Sequence, residues 1–127
     1  MKNILTLLTV LLLSQSLISQ MSLDLEKSKI KWTGKKITNA SHWGSLSFSE
    51  ANLDFDGDDL VGGKFIVDMN SISVDDIQGR GKQRLEGHLR NKDFFDVENH
   101  KEATLMFNER VPLNNGVYEV TGTLTIK

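Results

Sequence analysis

The chain has 127 residues, 39% of them hydrophobic and 25% charged, with 15 Lys and Arg against 17 Asp and Glu and no Cys. That length suits one domain, and the lack of Cys excludes a disulfide framework, a thiol nucleophile, a Cys-based zinc site and a lipid-modified cysteine. No basic cluster stands out along the sequence, so a surface for the phosphate backbone of nucleic acid is not expected.

The first twenty residues stand apart. Lys2 precedes Ile4–Leu13, an uncharged apolar run too short to cross a bilayer as a helix but of the length of a signal-peptide core. Ser14-Gln15-Ser16 and Ser19-Gln20 then offer small residues for cleavage. Residues 1–20 are therefore read as an export signal and 21–127 as the mature domain, periplasmic or secreted, with no stable membrane anchor. Removing residues 1–20 takes away Lys2 and no acid, which leaves 14 cations against 17 anions and a net charge of −3.

Beyond the signal, period-two alternation dominates, the mark of strands with one sheltered and one wet face. Ile30 and Trp32 alternate with Lys29, Lys31 and Thr33; Leu46 and Phe48 alternate with Ser45 and Ser47; Leu53 and Phe55 alternate with Asn52 and Asp54. Asp56-Gly57-Asp58-Asp59 reads as a tight turn, and Gly62-Gly63 as a bulge or bend in a curved sheet. Phe65, Val67 and Met69 then share a face against Lys64, Asp68 and Asn70.

Val74–Arg90 carries Gly79, Gly81 and Gly87, which argues against a long helix. Gln83–Arg90 still supports two turns, with Leu85, His88 and Leu89 on one side. Asp93-Phe94-Phe95-Asp96 follows, an aromatic pair between acids, and both rings are expected to be buried. Leu105 and Phe107 mark the next strand, Pro112 falls in a loop, and Asn114-Asn115-Gly116 favours a hairpin turn. Tyr118, Val120, Leu124 and Ile126 share one face of the last strand, with Gly122 between them. The layout is four strands, a short helical insertion and two more strands: an all-β, mostly antiparallel fold.

A sheet with so apolar a face needs cover, and no long amphipathic helix is available. Closure into a barrel would supply it, with an interior either filled by side chains or hollow enough for one small ligand. Pattern alone leaves both open.

Catalytic and metal chemistry find little footing. Asp54-x-Asp56-x-Asp58 begins like a calcium loop, but Asp59 and Phe65 stand where Gly and Glu are required. His42, His88 and His100 lack the close spacing of metal ligands. No G-x-S-x-G or phosphate-binding loop occurs. No cofactor is expected, and the chain is not expected to be an enzyme.

The segments "IKWTGKK", "SHWGSLSF", "LVGGKFIVDMNSISVDD", "LEGHLRNKDFFDV" and "YEVTGTLTIK" resemble, in order and spacing, the YceI-like family. The resemblance runs from about Leu25 to Lys127. Members are exported, lipocalin-like proteins that bind polyisoprenoid lipids in a barrel. It implies an antiparallel lipocalin-like β-barrel whose helical insertion and Phe pair lie across one end as a cap. It also implies an isoprenoid lipid or isoprenoid quinone as partner. The lining expected on that basis is Trp32, Phe48, Phe65, Val67, Met69, Phe107, Tyr118, Val120 and Leu124, joined by His88, Phe94 and Phe95 from the cap. His88 would face a head group, and Gly34 and Gly122 would leave room for the chain.

Two departures qualify the match. Lys101 stands where relatives often have Pro, and the sequence stops at Thr125-Ile126-Lys127 inside a strand, where relatives continue. About six strands rather than the usual eight or so predict an incomplete barrel with an open seam. The competing reading is a packed barrel that serves protein interaction or stress response without a lipid, and a homodimer is compatible with either. Export predicts cleavage between about Ser14 and Met21; N-terminal sequencing of the exported product checks this, and an intact Met1-Lys2 start would refute it.

Overall fold

Alternation of apolar and polar side chains only pays its way when neighbouring strands pair in a register that puts every apolar row on one side. A computed structural model describes residues 17–127 and contains β1 (Ile18–Ser22), β2 (Ile30–Lys35), β3 (Ser41–Asp56), β4 (Asp59–Val74), α1 (Gly79–Arg90), β5 (Glu102–Pro112) and β6 (Tyr118–Thr125). Strands β3 to β6 form an antiparallel meander, and β1 and β2 both pair with the outer edge of β3. Among the described residues β6 does not pair with β1 or β2, so the sheet curves without closing. This is the incomplete, lipocalin-like barrel expected from the sequence.

Six strands form, but not the six expected. The stretches around Leu46 and Leu53 are one strand, β3, sixteen residues long. A register shift between Phe48 and Glu50 moves the inward row from even to odd residue numbers, which made one bent strand look like two. The sixth strand is β1, whose Ile18, Ser19 and Gln20 lie in the segment assigned to the export signal and pair with Asp56, Phe55 and Asp54. Residues 1–16, which include the apolar run Ile4–Leu13 that motivated that signal, lie outside the described residues.

A second irregularity bends β4. Ser45 pairs with Ser73 and Ser47 with Asp68, so β4 spends extra residues where β3 spends few. Ser71 holds the bulge: its hydroxyl donates to the Asp68 carbonyl at 2.6 Å and accepts the Ser47 amide at 2.8 Å. The parity of β4 therefore reverses, and Met69, Ile72 and Val74 are all buried on one side. Turn chemistry matches the sequence reading. Gly57 has φ 61° at the β3–β4 turn, and Asn115 and Gly116 have φ 59° and 71° at the β5–β6 turn. Pro112 ends β5 and pairs with Tyr118 instead of standing in the loop.

The helix is longer than expected, twelve residues from Gly79, despite Gly81 and Gly87 inside it. Its low intrinsic propensity is offset by anchoring to β4. Beyond Asp68, β4 has lost β5 as a ladder partner, and α1 side chains take over that edge. The Val74 amide donates to Glu86 Oε1 at 3.0 Å, and Arg90 Nη2 donates to the Ile72 carbonyl at 2.7 Å. Lys82 and Arg90 flank the Glu86 carboxylate at 3.5 and 3.7 Å. Leu85 and Leu89 of α1 pack with Ile72 and Val74 in one core cluster, and Val67, Met69, Val97 and Ala103 form another. Leu46 and Phe95 touch both.

Because Val74 is fully buried, Glu86→Ala orphans its amide and should destabilise the fold by about 1–3 kcal/mol, whereas Glu86→Gln keeps an acceptor and should cost less. Chemical denaturation midpoints measure the difference; equal midpoints for Glu86→Ala and the parent would remove this anchor from the account.

Candidate functional site

The inward rows of the curved sheet do not meet in the middle. Between them lies a cavity of about 470 Å³, lined by Ile30 and Trp32 of β2, Leu46 and Phe48 of β3, and Phe65, Val67 and Met69 of β4. Ala103 and Leu105 of β5, Leu124 and Ile126 at the end of the chain, and Phe95 from the cap complete the wall. All twelve side chains are apolar or aromatic. The one polar atom a ring might have offered, Trp32 Nε1, already donates to the Ser73 carbonyl at 3.1 Å. Such a space has no hydrogen bonds to give, so what it can hold is hydrocarbon.

The cavity is not isolated. A smaller space of about 190 Å³ shares Trp32, Leu46 and Phe95 with it and adds Gly34, Leu89 and Phe94. A third of about 290 Å³ continues past Gly34 and Phe94 to Lys35, Lys36, His42 and His88. It shares Lys36, His42, Leu85 and His88 with an outer pocket of about 480 Å³, to which Arg84 also contributes. The path thus runs from a carbon-lined interior, past the aromatic pair, to a mouth with basic side chains between the β2–β3 turn and α1.

Of the residues expected to line the interior, Trp32, Phe48, Phe65, Val67, Met69, Phe95 and Leu124 do so. His88 and Phe94 stand at the mouth instead. Phe94 is a correction to the expected burial of both rings, since it is 46% exposed. The turn after α1 explains this: the Phe95 amide donates to the Leu89 carbonyl at 3.1 Å, which turns Phe95 inward and leaves Phe94 outside. The two rings meet edge to face at 4.9 Å, and the His88 ring lies 5.8 Å from Phe94.

Phe107 lies beyond the cavity wall, buried and stacked on Phe65 at 5.8 Å, which in turn contacts Phe48 at 5.4 Å. It borders a separate space of about 460 Å³ with Gly63 and Gly122. A Cβ on Gly63 would lie 2.5 Å from the Phe107 ring, so only glycine fits beneath it. Tyr118 and Val120 line none of these spaces. β4 pairs with β5 only as far as Phe107, and Tyr118 and Val120 pair with Pro112 and Arg110 in the part of the hairpin that runs past it.

Gly122 also departs from expectation. A Cβ there would lie 2.1 Å from the Met106 carbonyl oxygen, so this glycine serves close strand approach and not ligand volume. Gly34 does leave room, since its Cβ would meet only the Trp32 ring at 3.7 Å. Ile30, Leu46, Ala103, Leu105 and Ile126 were not among the expected site residues. Ile30 and Ile126 lie one alternation step from Trp32 and Leu124, and that signal was there to be used.

Charge at the mouth is ordered. His42 Nδ1 and Asp76 Oδ2 are 2.8 Å apart. Burial pushes the Asp76 carboxyl up, but its hydrogen bonds with His42 and with the backbone of Trp43 and Asp76 outweigh this and hold it below the usual value. The Ser73 hydroxyl, donating to Asp75 at 2.7 Å, and the Ser45 hydroxyl hold Asp75 low too, against some desolvation and aided by Lys82 and Lys29. Both acids are therefore ionised at neutral pH. Histidine and aspartate are two parts of a nucleophilic triad, yet among the described residues no hydroxyl is hydrogen-bonded to His42. The three histidines do not converge, and no cluster of metal-binding side chains occurs among the described residues.

The family model for the YceI-like domain matches residues 21–127, and no curated protein matches the chain. The chain belongs to the YceI-like family. Truncation of Phe95 to Ala should cost about 2–3 kcal/mol, because the ring bridges both core clusters, and Phe94→Ala less than about 1 kcal/mol. Denaturation of the two variants side by side checks the asymmetry; equal losses would contradict the inward and outward assignment.

Proposed function

We propose that this YceI-like protein is an exported lipid-binding protein that holds an isoprenoid-type chain, a polyprenyl lipid or an isoprenoid quinone, in the cavity beneath its cap. The observation that carries the reading is the cavity of about 470 Å³ lined only by apolar and aromatic side chains, with smaller spaces that share its lining residues leading toward a polar mouth. Its volume lies in the range of small-molecule sites, roughly 300–1,000 Å³. A tail with no hydrogen-bonding groups needs only apolar area, at about 25 cal/mol per Å² withdrawn from water. Recognition of this kind needs no catalytic group, so the role is binding and not turnover. Among the described residues no helix is long and apolar enough to cross a membrane, in keeping with a carrier that releases from the bilayer.

The test combines mass spectrometry of organic extracts of the purified protein with uptake of a quinone or polyprenol probe. Recovery of an isoprenoid lipid, or saturable uptake of the probe, is expected. Gly34 lines both spaces between cavity and mouth, and Gly34→Leu should lower probe uptake about ten-fold or more, equivalent to about 1.4 kcal/mol, with the β-rich circular dichroism unchanged. A protein that yields no lipid and takes up no probe would end the carrier reading, and a packed barrel acting on a protein partner would replace it.

A further inference from the structure

The mouth has a second property that lipid capacity alone does not require. The turn between β2 and β3 is tightly tied, with Lys36 N–H donating to the Ala40 carbonyl at 2.7 Å and Asn39 N–H donating to the Lys36 carbonyl at 3.0 Å. Asn39 adopts the left-handed conformation, φ 65°, that closes it. This rigid turn pushes Ile37 wholly into solvent, at 105% relative exposure, between Lys36 and Thr38. Across the mouth, Phe94 is the other large exposed apolar side chain.

Cations stand on the same turn and on α1. Lys35 and Lys36 precede Ile37 at the turn, and Arg80 and Arg84 lie one helical turn apart on the exposed side of α1. None of the four is in an ion pair among the described residues, whereas the acids nearby, Asp75, Asp76 and Glu86, each face a cationic or histidine partner. The opposite end of β3 reverses the sign: Asp54, Asp56 and Asp58 cluster at its turn, with only neighbouring Asp59 paired, to Arg110. Sixteen residues of β3 separate the two turns, up to roughly 50 Å at ~3.3 Å per residue. A chain of net negative charge is thus polarised along a sixteen-residue strand, and at the cationic end of the ligand path Ile37 and Phe94 stand exposed.

We propose that this end is a docking surface for an anionic lipid bilayer, with Lys35, Lys36, Arg80 and Arg84 held against the head groups and Ile37 and Phe94 inserted among them. Charge complementarity selects this occupant. A bilayer attracts cations as a plane, each worth about a five-fold gain in partitioning, and the acidic turn at the far end orients the mouth toward it. The lipid-binding reading explains what passes through the mouth, but contact with the bilayer does not depend on it.

Protein purified from the exported fraction is sedimented with phosphatidylcholine vesicles, with and without phosphatidylglycerol, at low salt and at about 0.5 M salt, where screening acts within a few ångströms. Binding is expected only to the phosphatidylglycerol vesicles at low salt. Lys36→Glu reverses one charge and should lower partitioning about twenty-five-fold, and Ile37→Asp should lower it further than Ile37→Ser. Lys64→Glu makes the same change of net charge on the outer face of β4 and should have little effect. Equal losses for Lys36→Glu and Lys64→Glu, equal binding to neutral vesicles, or no binding by the parent would each overturn the proposal. Probe uptake from detergent separates this result from the lipid-binding reading. Arg80→Glu, at a cation that lines none of the spaces on the ligand path, should lose vesicle partitioning as Lys36→Glu does yet retain probe uptake, and unchanged partitioning by Arg80→Glu would overturn the proposal.

Discussion

The inner edge of β4 beyond Met69 is the constraint that the cap end of the molecule answers. A sixteen-residue strand curving away from β5 leaves backbone groups that no strand can reach, and a buried amide without a partner costs as much as a lost core contact. Glu86 and Arg90 fill the gap from one face of α1, four residues apart, with the carboxylate on the Val74 amide and the guanidinium on the Ile72 carbonyl. That pairing sets the helix against the sheet, buries Leu89 on Ile72 and Val74, and delivers the chain to the turn where Phe95 points inward. A helix carrying two internal glycines is thus held by tertiary contact more than by propensity.

The same curvature explains why the interior is hollow. Bulges in β3 and β4 bend the sheet around a space that the core clusters bound at Phe95 and Leu46 but do not fill. Ala103 is the smallest side chain lining that space, and Gly34 leaves room in the two smaller spaces beside it. Farther along, the Phe65 ring stacks on Phe107, Phe48 tilts against Phe65, and the Phe107 ring lies where a Cβ on Gly63 would stand.

Most of the sheet was legible, because strands sheltered on one side announce themselves by alternation: Ile30–Trp32, Phe65–Met69 and Leu105–Phe107 all face as their spacing requires. What escaped were the places where a hydrogen bond overrides the period. The Ser71 hydroxyl between Asp68 and Ser47 hides Ile72 and Val74 from a period-two reading. The shift at Phe48–Glu50 splits β3 in two on paper. For the candidate site, composition identified the aromatic pair but could not tell one ring from its neighbour, since the Leu89 carbonyl that turns Phe95 inward is fixed only by the folded helix. Tyr118 and Val120 alternate faultlessly with Leu124 yet miss the cavity, because alternation reports a face and not how far along the strand the neighbouring strands extend.

A carbon-lined cavity that opens to solvent is costly to leave empty. Water inside finds no polar partner on the walls, and a dry void forfeits dispersion contacts along them. Whatever hydrocarbon fills the space binds the folded state alone, because the unfolded chain has no cavity, and so adds stability by mass action that grows with ligand concentration. Occupancy and stability are therefore coupled through Phe95, which both lines the cavity and packs against the two core clusters.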